Sequence, residues 1–304
     1  MNNVYDIAFR SMVTLSKRLL IPLVNEMFHY HFTMGDKVEL LTNNHFFKDN
    51  EGVTSERISD TIFTIEETKT GIKRLFHLEC QSTVDKSITY RVVEYDFRTG
   101  LENAEHEDYD MKIDMPLSAI IALRSDSKTP DRSVVNYSIG DQNITSEIPV
   151  LKIADYTIDE LFEKELYILI PFYIFTHEKD FSVYNNDTEE LRSLMHEQIA
   201  IVERLNQLEE SGKLSVYEKQ TLVDNMKAVL DFITQNHEEL NRKAGEVMRG
   251  PIFVTETTKV YEKGIEQGEE NKAKAIAVKM KQQGMGSDTI SVFTGLSADE
   301  IKKL

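Results

Sequence analysis

Glu79 and Gln81 lie two residues apart in Leu75-Phe76-His77-Leu78-Glu79-Cys80-Gln81-Ser82, a segment otherwise of the apolar kind that forms buried strands. Side chains alternate faces along a strand, so a carboxylate and an amide emerge side by side while Leu78 and Cys80 point the other way. A carboxylate in or beside a core is costly unless something pairs with it, and a metal ion is one of the few partners that repays the cost. The chemistry this pair points to is that of a bound ion.

Three elements must position it. The apolar run Ile58 to Ile65 reads as a preceding strand, and the Glu66 to Gly71 turn makes the two a hairpin. So short a connection pairs the strands antiparallel, which brings Asp60, early in the first, near Glu79 and Gln81, late in the second. A helix from about Ser87 to His106 follows, with Arg91, Tyr95 and Arg98 on one face at spacings of four and three.

The segment Phe76-His77-Leu78-Glu79-Cys80-Gln81-Ser82, followed by Arg91 and Tyr95, resembles the core of the PD-(D/E)XK nuclease superfamily. Within it the chain is most similar to the Rpn-like branch, the recombination-promoting nucleases and transposase-type proteins. There an Asp on one strand and Glu-x-Gln on the next replace the usual Asp and Glu-x-Lys. The opening Tyr5-Asp6-Ile7-Ala8-Phe9-Arg10 helix, the hairpin, the middle helix and the Gly-Leu-Ser tail also look like this group, so the resemblance spans nearly the whole chain. It implies an α/β fold, a restriction-endonuclease-like core with a mixed sheet flanked by helices, followed by an α-helical C-terminal region. It also implies metal-dependent hydrolysis of DNA phosphodiester bonds. Asp60, Glu79 and the backbone carbonyl of Cys80 would hold Mg²⁺, with Mn²⁺ as a substitute. Gln81 would orient a water or a phosphate oxygen, Arg91 would contact phosphate or brace the acids, and Tyr95 would support them. Two departures stand out: Ser59 replaces the usual Pro before Asp60, and Gln81 replaces a Lys. The second matters more, because Gln brings hydrogen bonds but no positive charge to the transition state.

A chain of 304 residues, 40% hydrophobic and 29% charged, has the composition of an ordinary globular protein. Cys80 has no second cysteine to pair with, which fits a reducing cytoplasm, and reads as core filler. The opening residues lack the pattern of a signal peptide, and the longest apolar run, Leu166 to Phe175, is about half of a bilayer span and contains Pro171. The expectation is a cytoplasmic protein with no membrane anchor. A net charge of −17 opposes nucleic-acid binding by the molecule as a whole. Between Lys69 and Arg98, however, six basic residues face four acidic ones, so the motif neighbourhood is locally positive.

The remaining elements frame this site. Tyr5 to Leu23 is an amphipathic helix that Pro22 should kink or end, with a short helix through Phe28 and, near its end, Glu26 as a further acid or a plain surface residue. Val38 to Leu41 is a short strand, and Asn43 to Ser55 a polar loop. Leu117 to Leu123 is an interior strand; Ser133 to Ile139 and Asn143 to Val150 form a hairpin. Thr157 and Glu160 make a capping box for a helix running to about Ile170. Thr188 to Leu208 and Val216 to Ile233 pair as antiparallel helices, and Gly264 to Leu304 is a helical tail suited to docking or homo-oligomerisation. This organisation predicts a nuclease-like domain over 1–180, a helical pair over 181–250 and the tail over 251–304.

No glycine-rich phosphate loop, nucleophile elbow or zinc helix is present. His77 shares the Glu79 face as a hydrogen-bonded structural residue or a neighbour of the site. Against the nuclease stands a nuclease-like fold with little or no cleavage, acting as an oligomerising interaction module. A small-molecule enzyme is a third reading with no motif of its own.

Overall fold

The computed structural model describes residues 4–41, 44–48, 54–58 and 61–250, together with scattered positions between 273 and 294. The chain forms two compact units, Met1–Phe253 and Val254–Leu304. In chain order the first contains α1 (Val4–Leu15), α2 (Leu20–Phe28), β1 (Lys37–Leu40), β2 (Asn44–Lys48), β3 (Thr54–Ile58), β4 (Thr61–Glu66) and β5 (Lys73–Gln81). Then come α3 (Ile88–Glu102), β6 (Glu105–Glu107), β7 (Asp110–Lys112), β8 (Leu117–Ala122), β9 (Arg132–Ile139) and β10 (Gln142–Lys152). The helices α4 (Ile158–Glu163), α5 (Phe181–Asn186), α6 (Thr188–Glu210), α7 (Val216–Thr234) and α8 (Glu238–Met248) complete it.

The fold is α/β, built on a mixed six-stranded sheet of order β1-β4-β5-β8-β10-β9. β4 and β5 pair antiparallel, while β5, β8 and β10 run parallel to one another. The parallel pairing of β5 with β8 needs a long crossover, and α3 supplies it. β5 therefore lies inside the sheet, and its alternation sends the two halves of its side chains to different layers. Phe76, Leu78 and Cys80 join Phe63, Ala119 and Ile121 in the main core, which continues without a break into α1, α2, α6, α7 and α8. His77, Glu79 and Gln81 face the other way, where Val92 of α3 packs on Ile120 and Ile148 in a smaller apolar cluster. Because the helical pair shares the main core with the sheet, the expected boundary at 180 falls inside one compact unit.

Several boundaries depart from expectation. The strand read as Ile58 to Ile65 is two strands: Ile58 closes β3, which pairs with β2, and the six-stranded sheet resumes at Thr61. The polar loop Asn43 to Ser55 thus contains β2 and the start of β3, with which it pairs. The break in the first helix comes at Ser16, followed by a short 3-10 turn, and not at Pro22. Pro22 is in the first turn of α2, where its missing N–H costs no bond. The middle helix ends at Glu102, with the small β6–β7 hairpin after it. The capping box of Thr157 and Glu160 is present, but α4 stops at Glu163 because Glu165 takes a left-handed conformation at φ 57° that ends the helix, and a 3-10 stretch runs from Tyr167 to Asp180.

In the second unit, Ala277 and Ile290 are buried together, with Ala273 and Met280 packed against them. Most of the expected helical tail lies outside the described residues. Among the described residues no helix is long and apolar enough to cross a membrane.

Candidate functional site

The β5–β8 register sets the site. His77 pairs with Ser118 and Glu79 with Ile120, so the polar residues of β5 and Ser118 of β8 share the face covered by α3. The buried side of that helix recurs at Val92, Tyr95, Asp96 and Thr99, which places a carboxylate in the helix stripe directly over His77. His77, wholly buried, meets Asp96 Oδ1 through Nδ1 at 2.7 Å and Glu79 Oε1 through Nε2 at 3.2 Å. Ser118 Oγ donates to the second oxygen of Asp96 at 2.7 Å. Tyr95 packs edge-on to the imidazole at 6.0 Å between ring centres.

The outer end of the chain of contacts is Arg91. Its Nη2 donates to Glu79 Oε2 at 3.2 Å and to Gln81 Oε1 at 3.1 Å, and its Nη1 lies 3.6 Å from Asp85. A guanidinium can be met only by the amide oxygen of Gln81, so the amide nitrogen turns outward, where it donates to Thr83 Oγ1 at 3.2 Å. The Nε of Arg91 is buried with no hydrogen-bond partner among the described residues. Asp96, His77, Glu79 and Arg91 thus alternate in sign along one line. Burial works against a charge on His77, but the carboxylates of Asp96 and Glu79 outweigh it and raise its pKa to about 9. Asp6 of α1 is within electrostatic reach: burial raises its pKa, Arg10 and Arg91 lower it, and Glu79 raises it.

The structure brings together Glu79, Gln81, Arg91 and Tyr95 from the sequence reading. Arg98, expected on the same helix face, donates to Glu94 at 3.4 Å. Glu26 is taken up by Tyr156 and Lys164, away from this cluster. The Cys80 side chain is in the main core on the opposite face. Asp60 and Ser59 lie outside the described residues; the residue after them, Thr61, pairs with Leu78. Asp96, Ser118 and Asp6 were not singled out from sequence. The signal for Asp96 was available, since a charged residue four positions after Val92 occupies a core position of the helix.

Glu79 is 2% exposed, yet it does not depend on an ion for a partner, because His77 and Arg91 both meet it. Both nitrogens of His77 are spent on carboxylates, which removes it as a ligand. Among the described residues no group of three or more His, Cys, Asp and Glu could hold a metal. What this face offers is a carboxylate and an amide oxygen, donors that suit a hard ion such as Mg²⁺ once a second acid joins them. Comparison with protein-family models, curated proteins and solved structures finds no match to the chain.

Proposed function

We propose that this chain is a metal-dependent endodeoxyribonuclease of the PD-(D/E)XK kind, similar to the Rpn-like recombination-promoting nucleases, hydrolysing DNA phosphodiester bonds. The observation that carries the reading is Glu79: a buried carboxylate sharing one strand face with Gln81, near the C-terminal end of a parallel strand pair, where α/β sheets bind ligands. The antiparallel β4–β5 pair followed by the α3 crossover to parallel β8 supports the same reading.

Asp60, Glu79 and the Cys80 carbonyl would hold Mg²⁺ or Mn²⁺. When bound, the ion would lower the pKa of a water and neutralise charge growing on the phosphate. The chain's own residues do the rest. His77, locked between Asp96 and Glu79, fixes the carboxylate in place. Gln81 presents its amide N–H outward to a water or a phosphate oxygen. Arg91 braces the Glu79–Gln81 pair and supplies the positive charge that Gln81 lacks.

The test is cleavage of supercoiled and linear DNA in Mg²⁺ or Mn²⁺ by the wild type, Asp60→Ala and Glu79→Ala, with folding of each checked by circular dichroism. Cutting by the wild type alone supports the reading. If none cuts and metal stabilises no variant differently, the second reading takes over: a nuclease-like interaction module that oligomerises. What favours it is the neutralisation of Glu79 by His77 and Arg91 without an ion, together with the net charge of −17.

A further inference from the structure

A cavity of about 270 Å³ opens beyond the C-terminal ends of β5 and β8, against the first turn of α3, and of its lining only Gln81 has a part in the metal chemistry. Its floor is apolar, made by Ile120 and Ala122 of β8, Val150 of β10 and Ile88 of α3. Gln81 forms the wall on the side of Glu79, so the cavity and the candidate site share a residue.

Lys86 and Lys128 stand on the rim, both exposed. The two acids beside them are engaged locally. Asp85 accepts from the backbone and hydroxyl of Ser87 and pairs with Arg91, and Asp126 accepts from the backbone N–H of Lys128 and from Thr129 Oγ1. Arg124, also at the wall, is held by Glu178 and the Ser82 carbonyl. Neither Lys86 nor Lys128 makes a salt bridge to a described residue. An apolar floor below two such ammonium groups calls for a ligand with a flat apolar body and an anionic end.

We propose that this cavity takes one unpaired nucleotide, its base on the Ile120–Ala122 floor and its phosphate against Lys86 and Lys128. The proposal rests on the nuclease reading and deepens it, because it names the substrate: DNA with an unstacked base beside the phosphate at Gln81. A base within a duplex is stacked on both faces and must leave the helix to enter such a pocket, whereas a single strand offers its bases freely. The same chemistry could come from a free mononucleotide.

The experiment reads binding by the full chain in EDTA, where no cleavage occurs, using a fluorescent oligothymidylate strand, a duplex of equal length and dTMP as competitor. The expected result is binding of the single strand about tenfold tighter than of the duplex, because a stacked base must first leave the helix to enter the cavity. Ala122→Leu, which fills the floor without changing charge, should remove that preference and leave duplex binding unchanged. Lys86→Glu with Lys128→Glu, at exposed positions that do not test folding, should weaken the single strand more than the duplex. Competition by dTMP at the strand's own concentration supports the nucleotide pocket with a free nucleotide as its source; failure of dTMP to compete assigns it to a nucleotide within a strand. Equal binding of strand and duplex, or full single-strand binding by all the cavity variants, overturns the proposal. Cleavage is not measured, so this failure is separate from a failure of the Asp60 and Glu79 variants to alter cutting.

Discussion

His77 directs Nδ1 at Oδ1 of Asp96 across 2.7 Å, one element reaching from β5 to the other on α3, with both groups buried. The contact fastens the crossover helix to the central strand, and Ser118 satisfies the remaining Asp96 oxygen. Asp96→Asn removes one of the two carboxylates that stabilise the buried imidazolium. Breaking a buried pair from one side leaves an uncompensated group, so the variant should lose about 3 kcal/mol of stability in urea unfolding. A loss below about 0.5 kcal/mol, the range of ordinary surface changes, would show that the contact does not hold α3 to the sheet.

Phe76, on the opposite face of the same strand, is the centre of an aromatic cluster. It stacks on Phe63 at 5.6 Å and meets Phe28 at 5.4 Å and Phe32 at 5.9 Å. Its neighbours come from β4, from the end of α2 and from the segment after it, so the space it fills cannot close without shifting several elements. Phe76→Ala should therefore cost about 4 kcal/mol, while Tyr109→Ala, at a fully exposed position in the β6–β7 turn, should cost almost nothing. Thermal unfolding of the two variants side by side checks this, and equal costs would mean that the cluster is not packed as described.

Glu218 joins α7 to the chain just before α2. Burial works against its charge, but Arg18 and the backbone and hydroxyl of Ser215 outweigh it and hold the carboxyl below its ordinary value of 4.5. A carboxyl lowered by folding stabilises fully above the unfolded value, and the contribution is lost as pH falls through the folded one. Arg18→Met should thus cost about 1 kcal/mol at neutral pH, a modest figure because Arg18 is more than a third exposed. The gap between wild type and variant should close as pH falls below the ordinary carboxylate range. Denaturation across a pH series would detect a gap that stays constant into acid, which would contradict this account.

What was legible in the sequence is what is encoded locally. The apolar run of β8, the hairpin turning at Gly140 with φ 61°, and the capping box at Thr157 follow from neighbours in the chain. The shared face of Glu79 and Gln81 follows from strand alternation. That His77 bridges Glu79 to Asp96 did not, because Asp96 comes from the crossover helix. Their meeting is set by the β5–β8 register and the packing of α3, which are tertiary facts. The splitting of the strand before Thr61 is of the same kind: an apolar run reads as continuous until a second sheet claims its first residue, Ile58.

Arg91 touches Glu79 and Gln81 with a single nitrogen, at 3.2 and 3.1 Å, and keeps a buried Nε with no partner among the described residues. That geometry is looser than the two-nitrogen fork an arginine makes when a carboxylate is its permanent partner. On the nuclease reading Arg91 holds the place of a cation on Glu79. Arg91→Ala then removes one of the positive groups that meet this buried carboxylate, and the variant should unfold at a lower temperature than wild type in EDTA. Added Mn²⁺ should restore it, with a larger upward shift than wild type shows, since an ion that binds only the folded chain stabilises it in proportion to its affinity. Glu79→Gln in the same series should abolish the Mn²⁺ shift. If Arg91→Ala is destabilised and Mn²⁺ does not rescue it, Arg91 is a structural partner of Glu79, and the face it covers is built to be closed without an ion.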